Sequence, residues 1–254
     1  MRTALVLSLL LLLAACQTQI ITSDPAKAVI LPAQIRNPAQ PMDLVPHFGE
    51  ITIKTVDGLN ISGTLYGNES RDGIVMVHQM GKDRESWKPI IHKLKNKYKI
   101  LTIDLRGHGK SQGDITKFTD GDYQKFPNDV QAAAFYLKRI GVKNIAIVGA
   151  SIGANAALQY AVKDENVSTL VLLSPGIQYH GIDSIKPATR YSNAMLLVSG
   201  NADKYSTSTV NTLRYAHPNA KLVTYSTSAH GTEIFGRNVG LEDEIYSWLD
   251  THLG

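Results

Sequence analysis

The sequence predicts a doubly wound α/β domain whose sheet is mostly parallel and is entered through an antiparallel hairpin. Three observations lead there. From residue 73 onward, short apolar runs alternate with amphipathic stretches of helical period. Runs such as Ile145-Ala146-Ile147-Val148 and Leu170-Val171-Leu172-Leu173 are apolar at every position, as strands are when helices cover both faces of a parallel sheet. Ahead of them, two segments of alternating polarity flank Asp57-Gly58, a hairpin turn signal.

The elements follow in order. The opening strands are 50–56 and 59–66, both with period 2. Apolar strands are then expected at 73–78, 99–105, 144–150, 169–174, 194–199 and 221–225, and amphipathic helices at 86–97, 127–140, 152–162, 207–217 and 242–252. The interior holds no repeat and no polar low-complexity linker, so 47–254 reads as one domain. With 43% apolar and 19% charged residues, the 254-residue chain can bury a full core.

The first 46 residues differ. Met1-Arg2 supplies a short positive region and Leu5 to Leu13 an apolar one, too short for the roughly 20 residues that a bilayer-spanning helix needs. Residues 1–15 therefore read as a secretory signal. Leu13-Ala14-Ala15-Cys16 resembles a bacterial lipobox, which implies cleavage before Cys16 and its lipidation. Cys16 is the only cysteine, so no internal disulfide competes for it. Multiple acyl chains on one cysteine meet the requirement that stable anchoring takes more than one lipid. Residues 17–46, with Pro25, Pro32, Pro38, Pro41 and Pro46, show no sustained period, so 16–46 reads as a lipid-anchored tether. Gln17, where the position is not Asp, resembles the outer-membrane sorting pattern, which in a Gram-negative host implies an outer-membrane anchor facing the periplasm.

The formal charge of +4 becomes +3 once Arg2 leaves, and forms no basic stripe. Lys93, Lys95, Lys97 and Lys99 read as a solvated face, so no nucleic-acid partner is expected.

Chemistry concentrates at Gly149-Ala150-Ser151-Ile152-Gly153, which follows a predicted strand and opens a predicted helix. A serine there sits in a strained turn, and glycines two positions to either side remove side chains that would strike neighbouring backbone. The helix beginning at Ile152 aims amide donors at the space where negative charge would develop. Asp203 ends an apolar strand that runs into a Gly-containing loop, and His230 follows the strand at Leu222 to Tyr225. Both fall at carboxyl ends of parallel strands, where open α/β sheets bind ligands. A serine hydroxyl needs an imidazole to accept its proton, and a carboxylate fixes the tautomer of that imidazole. Ser151 is thus the candidate nucleophile, His230 the base and Asp203 its orienting acid. Asp164, Glu165, Asp183, His217 and His252 lack the combination of strand end and free loop.

This constellation, in the chain order Ser, Asp, His, resembles the α/β-hydrolase family from about residue 50 to 253. His78-Gln79-Met80-Gly81 is similar to the family's oxyanion loop, which implies that the backbone amides of Met80 and Ile152 are the oxyanion donors. Gln79 stands where the family usually has glycine. His78 is read as structural. Asp104 to Ser111 resembles the family's segment after the fourth strand, which shapes neighbouring loops, so Arg106 and His108 are not assigned catalysis.

Only 176–190 and a few flanking residues separate Pro175 from Ala194, whereas two lid helices with loops need roughly 25 residues or more. No substantial lid is expected. The site is then open and shallow and suits small or solvent-presented esters or thioesters. The eight histidines show no metal-ligand spacing, and neither a P-loop nor a Rossmann fingerprint is present, so no metal or cofactor is implied. An esterase acting through an acyl-enzyme is the leading reading. A peptidase or amidase is the second, and a non-catalytic envelope binding lipoprotein the third.

Overall fold

A computed structural model describes residues 48–237 and 239–253. The signal, lipidation and tether readings, Cys16 included, lie outside the described residues. The chain opens with β1 (Gly49–Lys54) and β2 (Asn60–Tyr66), paired antiparallel with Ile53 opposite Ile61. Their connection is wider than a two-residue turn: Thr55 N–H donates to Leu59 O at 2.9 Å, and Gly58 takes a φ of 88°.

β3 (Asp72–Val77), α1 (Lys88–Leu94) and β4 (Lys99–Ile103) follow. The expected helix over 86–97 is shorter, because Arg84–Trp87 forms a 3-10 turn, and Pro89 then sits in the first turn of α1. After the one-turn α2 (Asp120–Tyr123) come α3 (Phe126–Arg139), β5 (Asn144–Ala150), α4 (Ile152–Ala161) and β6 (Val167–Leu173). A small hairpin of β7 (Gln178–Tyr179) and β8 (Ile182–Asp183) leads to α5 (Ile185–Arg190). The domain ends with β9 (Ala194–Gly200), α6 (Lys204–Ala216), β10 (Lys221–Tyr225) and α7 (Leu241–His252).

Eight strands form one sheet in the order β1-β2-β4-β3-β5-β6-β9-β10. Only the β1–β2 and β2–β4 pairings are antiparallel. The all-apolar strands explain how both faces are filled. In β5, Ile145 and Ile147 join the core beneath α3, α4 and α6, while Ala146, Val148 and Ala150 join the core beneath α1 and α7. β3, β6 and β9 divide in the same way, as the period of 2 requires. No helix among the described residues is long and apolar enough to cross a membrane.

Two buried ion clusters fix the loops at the carboxyl edge. Asp104 accepts from Arg84 N–H at 2.8 Å, Arg84 Nη1 at 2.7 Å and Lys110 N–H at 2.9 Å. Arg106 holds Asp129 through Nε at 2.9 Å and Nη2 at 2.7 Å, and holds Asp57 through Nη1 at 2.6 Å, so it ties the first hairpin to α3. Every guanidinium nitrogen of Arg106 is thus bonded to a carboxylate of Asp129 or Asp57. Lys99 corrects the solvated-face reading. It is 2% exposed on β4, and its Nζ donates to Ile140 O at 3.2 Å, whereas Lys95 and Lys97 are exposed.

Candidate active site

Ser151 sits between β5 and α4 with φ 52° and ψ −122°, a conformation that L-residues rarely hold. Its amide donates to Leu173 O at 2.8 Å, which pins the turn to β6. The two flanking glycines are required by space. A Cβ on Gly149 would stand 2.6 Å from Gly153 O, and one on Gly153 would stand 2.5 Å from His78 O and 2.6 Å from Val77 O. The start of α4 therefore packs directly on the end of β3, and the amide of Ile152 is brought beside the loop that carries Met80.

That loop is oriented by His78. Its Nε2 accepts from Leu105 N–H at 2.9 Å, so the proton resides on Nδ1, which donates to Gln79 O at 2.8 Å. Burial pushes the His78 pKa down to about 4, so the ring stays neutral and keeps this tautomer. Lys82 N–H donates to the same carbonyl at 3.2 Å. In a trans peptide the N–H points opposite to the C=O, so fixing Gln79 O also fixes the direction of the Met80 N–H. His78 is structural in this defined sense.

His230 and Asp203 meet as the strand-end argument expects, with His230 Nδ1 and Asp203 Oδ2 2.6 Å apart and side chains 33% and 13% exposed. The loop that carries His230 reaches the nucleophile turn: a Cβ on Gly231 would lie 3.3 Å from Ala150 Cβ, and Gly231 N–H donates to Ser174 Oγ at 2.9 Å. Asp203 is also the N-cap of α6, where Oδ1 accepts from Ser206 N–H at 3.3 Å. Ser206 Oγ lies 3.4 Å from His230 Nδ1. Burial pushes the Asp203 carboxyl up, but hydrogen bonds from Ser206 and His230 outweigh it and hold the group below the usual carboxylate range. Asp203 is thus ionised at neutral pH and fixes the proton of His230 on Nδ1, leaving Nε2 free to accept one.

Among the described residues no large lid covers the site, yet the nucleophile itself is buried. Ser151 is 5% exposed. The β7–β8 hairpin brings Tyr179 near Ser151 and Ser206, and burial raises its phenol pKa above the usual value. The hairpin is anchored by Asn155, on the first turns of α4. Asn155 Nδ2 donates to Gly176 O at 2.9 Å and to Ile182 O at 2.8 Å, and Oδ1 accepts from Gly176 N–H at 3.1 Å. Tyr205 adds a second clamp, accepting from Gln178 N–H at 3.4 Å and donating to Gln178 O at 3.1 Å.

Sequence reasoning missed Tyr179, Ser206, Ser174 and Asn155. Of these only Asn155 left a trace, as a lone amide inside the apolar run Ala154 to Leu158. No group of three or more His, Cys, Asp or Glu side chains suited to a metal occurs among the described residues.

A parallel-dominated α/β sheet with a serine at a strained strand-to-helix turn, beside a bonded His–Asp pair, defines a class of candidate nucleophilic enzymes. The family model for the alpha/beta hydrolase fold matches residues 73–234, and the chain belongs to that family. It is 32% identical over 120 residues to an uncharacterized hydrolase of Bacillus subtilis, covering 47% of this chain and 42% of that protein. It is 31% identical over 108 residues to 3-oxoadipate enol-lactonase 1 of Acinetobacter baylyi, covering 42% and 38% respectively. The matched stretches thus span less than half the length of these curated relatives. Among solved structures, a Pyrococcus furiosus esterase superposes with a TM-score of 0.71 at 23% identity, over 85% of this chain and 96% of that one. A Rhodococcus esterase does so with a TM-score of 0.69 at 15% identity, over 81% and 100%. At such identities these two likenesses establish the fold.

Proposed function

We propose that this hydrolase-family protein is a serine hydrolase of carboxylic esters or thioesters that works through an acyl-enzyme. The observation that carries the reading is the 2.6 Å Asp203–His230 pair, formed beside a serine whose backbone is held at positive φ. Ser151 Oγ attacks the ester carbonyl while His230 Nε2 takes its proton, and Asp203 stabilises the resulting imidazolium. Charge on the carbonyl oxygen is met by the amides of Met80 and Ile152. His230 returns the proton to the departing alcohol or thiol, and a water activated by the same ring then cleaves the acyl-enzyme. The ester chemistry is favoured by the similarity to the enol-lactonase of Acinetobacter baylyi, since a lactone is a cyclic ester.

The lipobox-like Leu13 to Cys16 supports a lipid anchor, Gln17 supports an outer-membrane position facing the periplasm in a Gram-negative host, and the short segment between Pro175 and Ala194 supports small or solvent-presented esters as substrates. Intact-mass measurement after fluorophosphonate treatment tests the chemistry: one adduct on the wild type and none on Ser151→Ala is expected. A folded wild-type protein that takes no adduct would overturn the reading. A panel of matched esters and amides then separates esterase from amidase. Globomycin-sensitive processing and palmitate labelling lost in Cys16→Ala test the anchor.

A further inference from the structure

Gln79 departs from the glycine usual at its position, and its side chain is 5% exposed rather than solvated. All of its bonding capacity that the structure records points to one place, the loop that carries His230. Nε2 donates to the carbonyl of His230 at 3.2 Å, and Oε1 accepts from Thr232 N–H at 2.7 Å and from Thr232 Oγ1 at 3.0 Å. The partners lie more than 150 residues away in sequence. The other side of the contact is shaped to receive it: Gly231 has φ 57°, and a Cβ there would stand 2.2 Å from Gln79 Oε1. A glycine between His230 and Thr232 therefore serves the amide as well as the backbone turn. Meanwhile the main chain of Gln79 is clamped by His78 Nδ1 and Lys82 N–H, and its peptide delivers the Met80 amide.

We infer that Gln79 is a positioning residue that couples the oxyanion loop to the loop of the general base, so that the Met80 amide and the His230 ring are held in one register. This rests on the serine-hydrolase reading above. Without the side chain, each loop keeps its own anchors, His78 on one side and Ser174 Oγ on the other, and among the described residues the only other hydrogen bond or ion pair that joins them is the exposed Lys82–Glu233 pair at 3.1 Å, with Trp87 packed on Phe235 farther along. Solvent-exposed ion pairs contribute little rigidity. The amide serves the reaction only through the groups it aligns.

The test compares wild type with Gln79→Ala, Gln79→Gly and Gln79→Glu on p-nitrophenyl acetate, together with the affinity of an alkylboronic acid that forms a tetrahedral adduct on Ser151. Gln79→Gly restores the family's usual residue and is nevertheless expected to lose activity. Misplacement of catalytic groups by about 1 Å costs on the order of 10²-fold. Ala and Gly variants should therefore lose kcat by roughly 10- to 100-fold at nearly constant KM, with boronate affinity falling in parallel. Gln79→Glu keeps the acceptor for Thr232 but loses the donor to His230 O and adds negative charge near the developing oxyanion, so its kcat should be the lowest. A double variant with Thr232→Val should lose less than the sum of the singles. If Gln79→Ala, labelled at Ser151 like wild type, keeps kcat and boronate affinity within about twofold, the coupling is wrong even if its melting temperature drops. If wild type itself is not labelled at Ser151, the serine-hydrolase reading falls, and the coupling with it.

Discussion

Replacing Asn155 by alanine tests whether the β7–β8 hairpin near Ser151 is a rigid part of the domain. The side chain is fully buried and makes three hydrogen bonds, all to the segment that forms and frames the β7–β8 hairpin. On truncation, Gly176 O retains Ser184 Oγ at 2.7 Å, but Gly176 N–H and Ile182 O lose these partners. A buried polar group left without a partner costs about 1 to 3 kcal/mol, so two of them cost about 2 to 6, with about 3 kcal/mol as the working value. That lowers the folded-to-unfolded ratio by roughly a hundredfold. Urea unfolding followed by circular dichroism should show the loss. Hydrogen exchange should show Gly176 and residues 178–183 opening more readily than the central strand β5. Asn155→Asp adds a second arm. It keeps an acceptor for Gly176 N–H but sets a carboxylate against two carbonyls, so it should be at least as destabilised at neutral pH and partly recovered when acidified. A loss below about 1 kcal/mol in Asn155→Ala, with exchange at Gly176 unchanged, would refute the claim that the hairpin is rigidly held.

Three further outcomes follow from the same geometry. Asp203→Asn keeps an oxygen for the α6 cap but presents an amide to His230 Nδ1, favouring the wrong tautomer; kcat should fall on the order of 10³- to 10⁴-fold with the urea midpoint nearly unchanged. A large midpoint loss would show that the carboxylate mainly stabilises the fold. Gly153→Ala puts a Cβ 2.5 Å from His78 O, which is backbone and cannot step aside, so stability should fall by about 1 to 3 kcal/mol despite the better helix propensity of alanine. A stabilised variant would contradict the packing of α4 on β3. For His78, burial lowers the folded pKa from 6.5 to about 4, so between those values the unfolded chain binds a proton that the folded one does not. This lowers wild-type stability as pH falls through that window, by about 3 kcal/mol in total. His108, also depressed by burial, remains in both proteins. The stability gap between wild type and His78→Gln, measured by urea at pH 7 and pH 4, should narrow by that amount. A gap that stays constant would mean that the ring is not desolvated.

The sequence by itself determined the parts of this protein that depend on local periodicity and local sterics. β5 and β6 were legible because their runs 145–148 and 170–173, apolar at every position, fit a sheet covered on both faces. Ser151 was legible because glycines at 149 and 153 have a steric cause within five residues of chain. Asp203 and His230 could be selected because the ends of predicted strands are themselves local signals. Tertiary structure alone decided what bridges distant segments. Lys99 reads as a surface charge until its β4 position buries it against Ile140 O. The β7–β8 hairpin has two-residue strands, too short for any period to register, and it is held by an asparagine more than 20 residues earlier. Gln79 reads only as a departure from glycine until folding sets it beside Thr232, whose amide and hydroxyl satisfy its carbonyl oxygen. A buried amide takes its meaning from the partners that meet its donors and acceptors, and chain folding supplies those partners from far along the sequence.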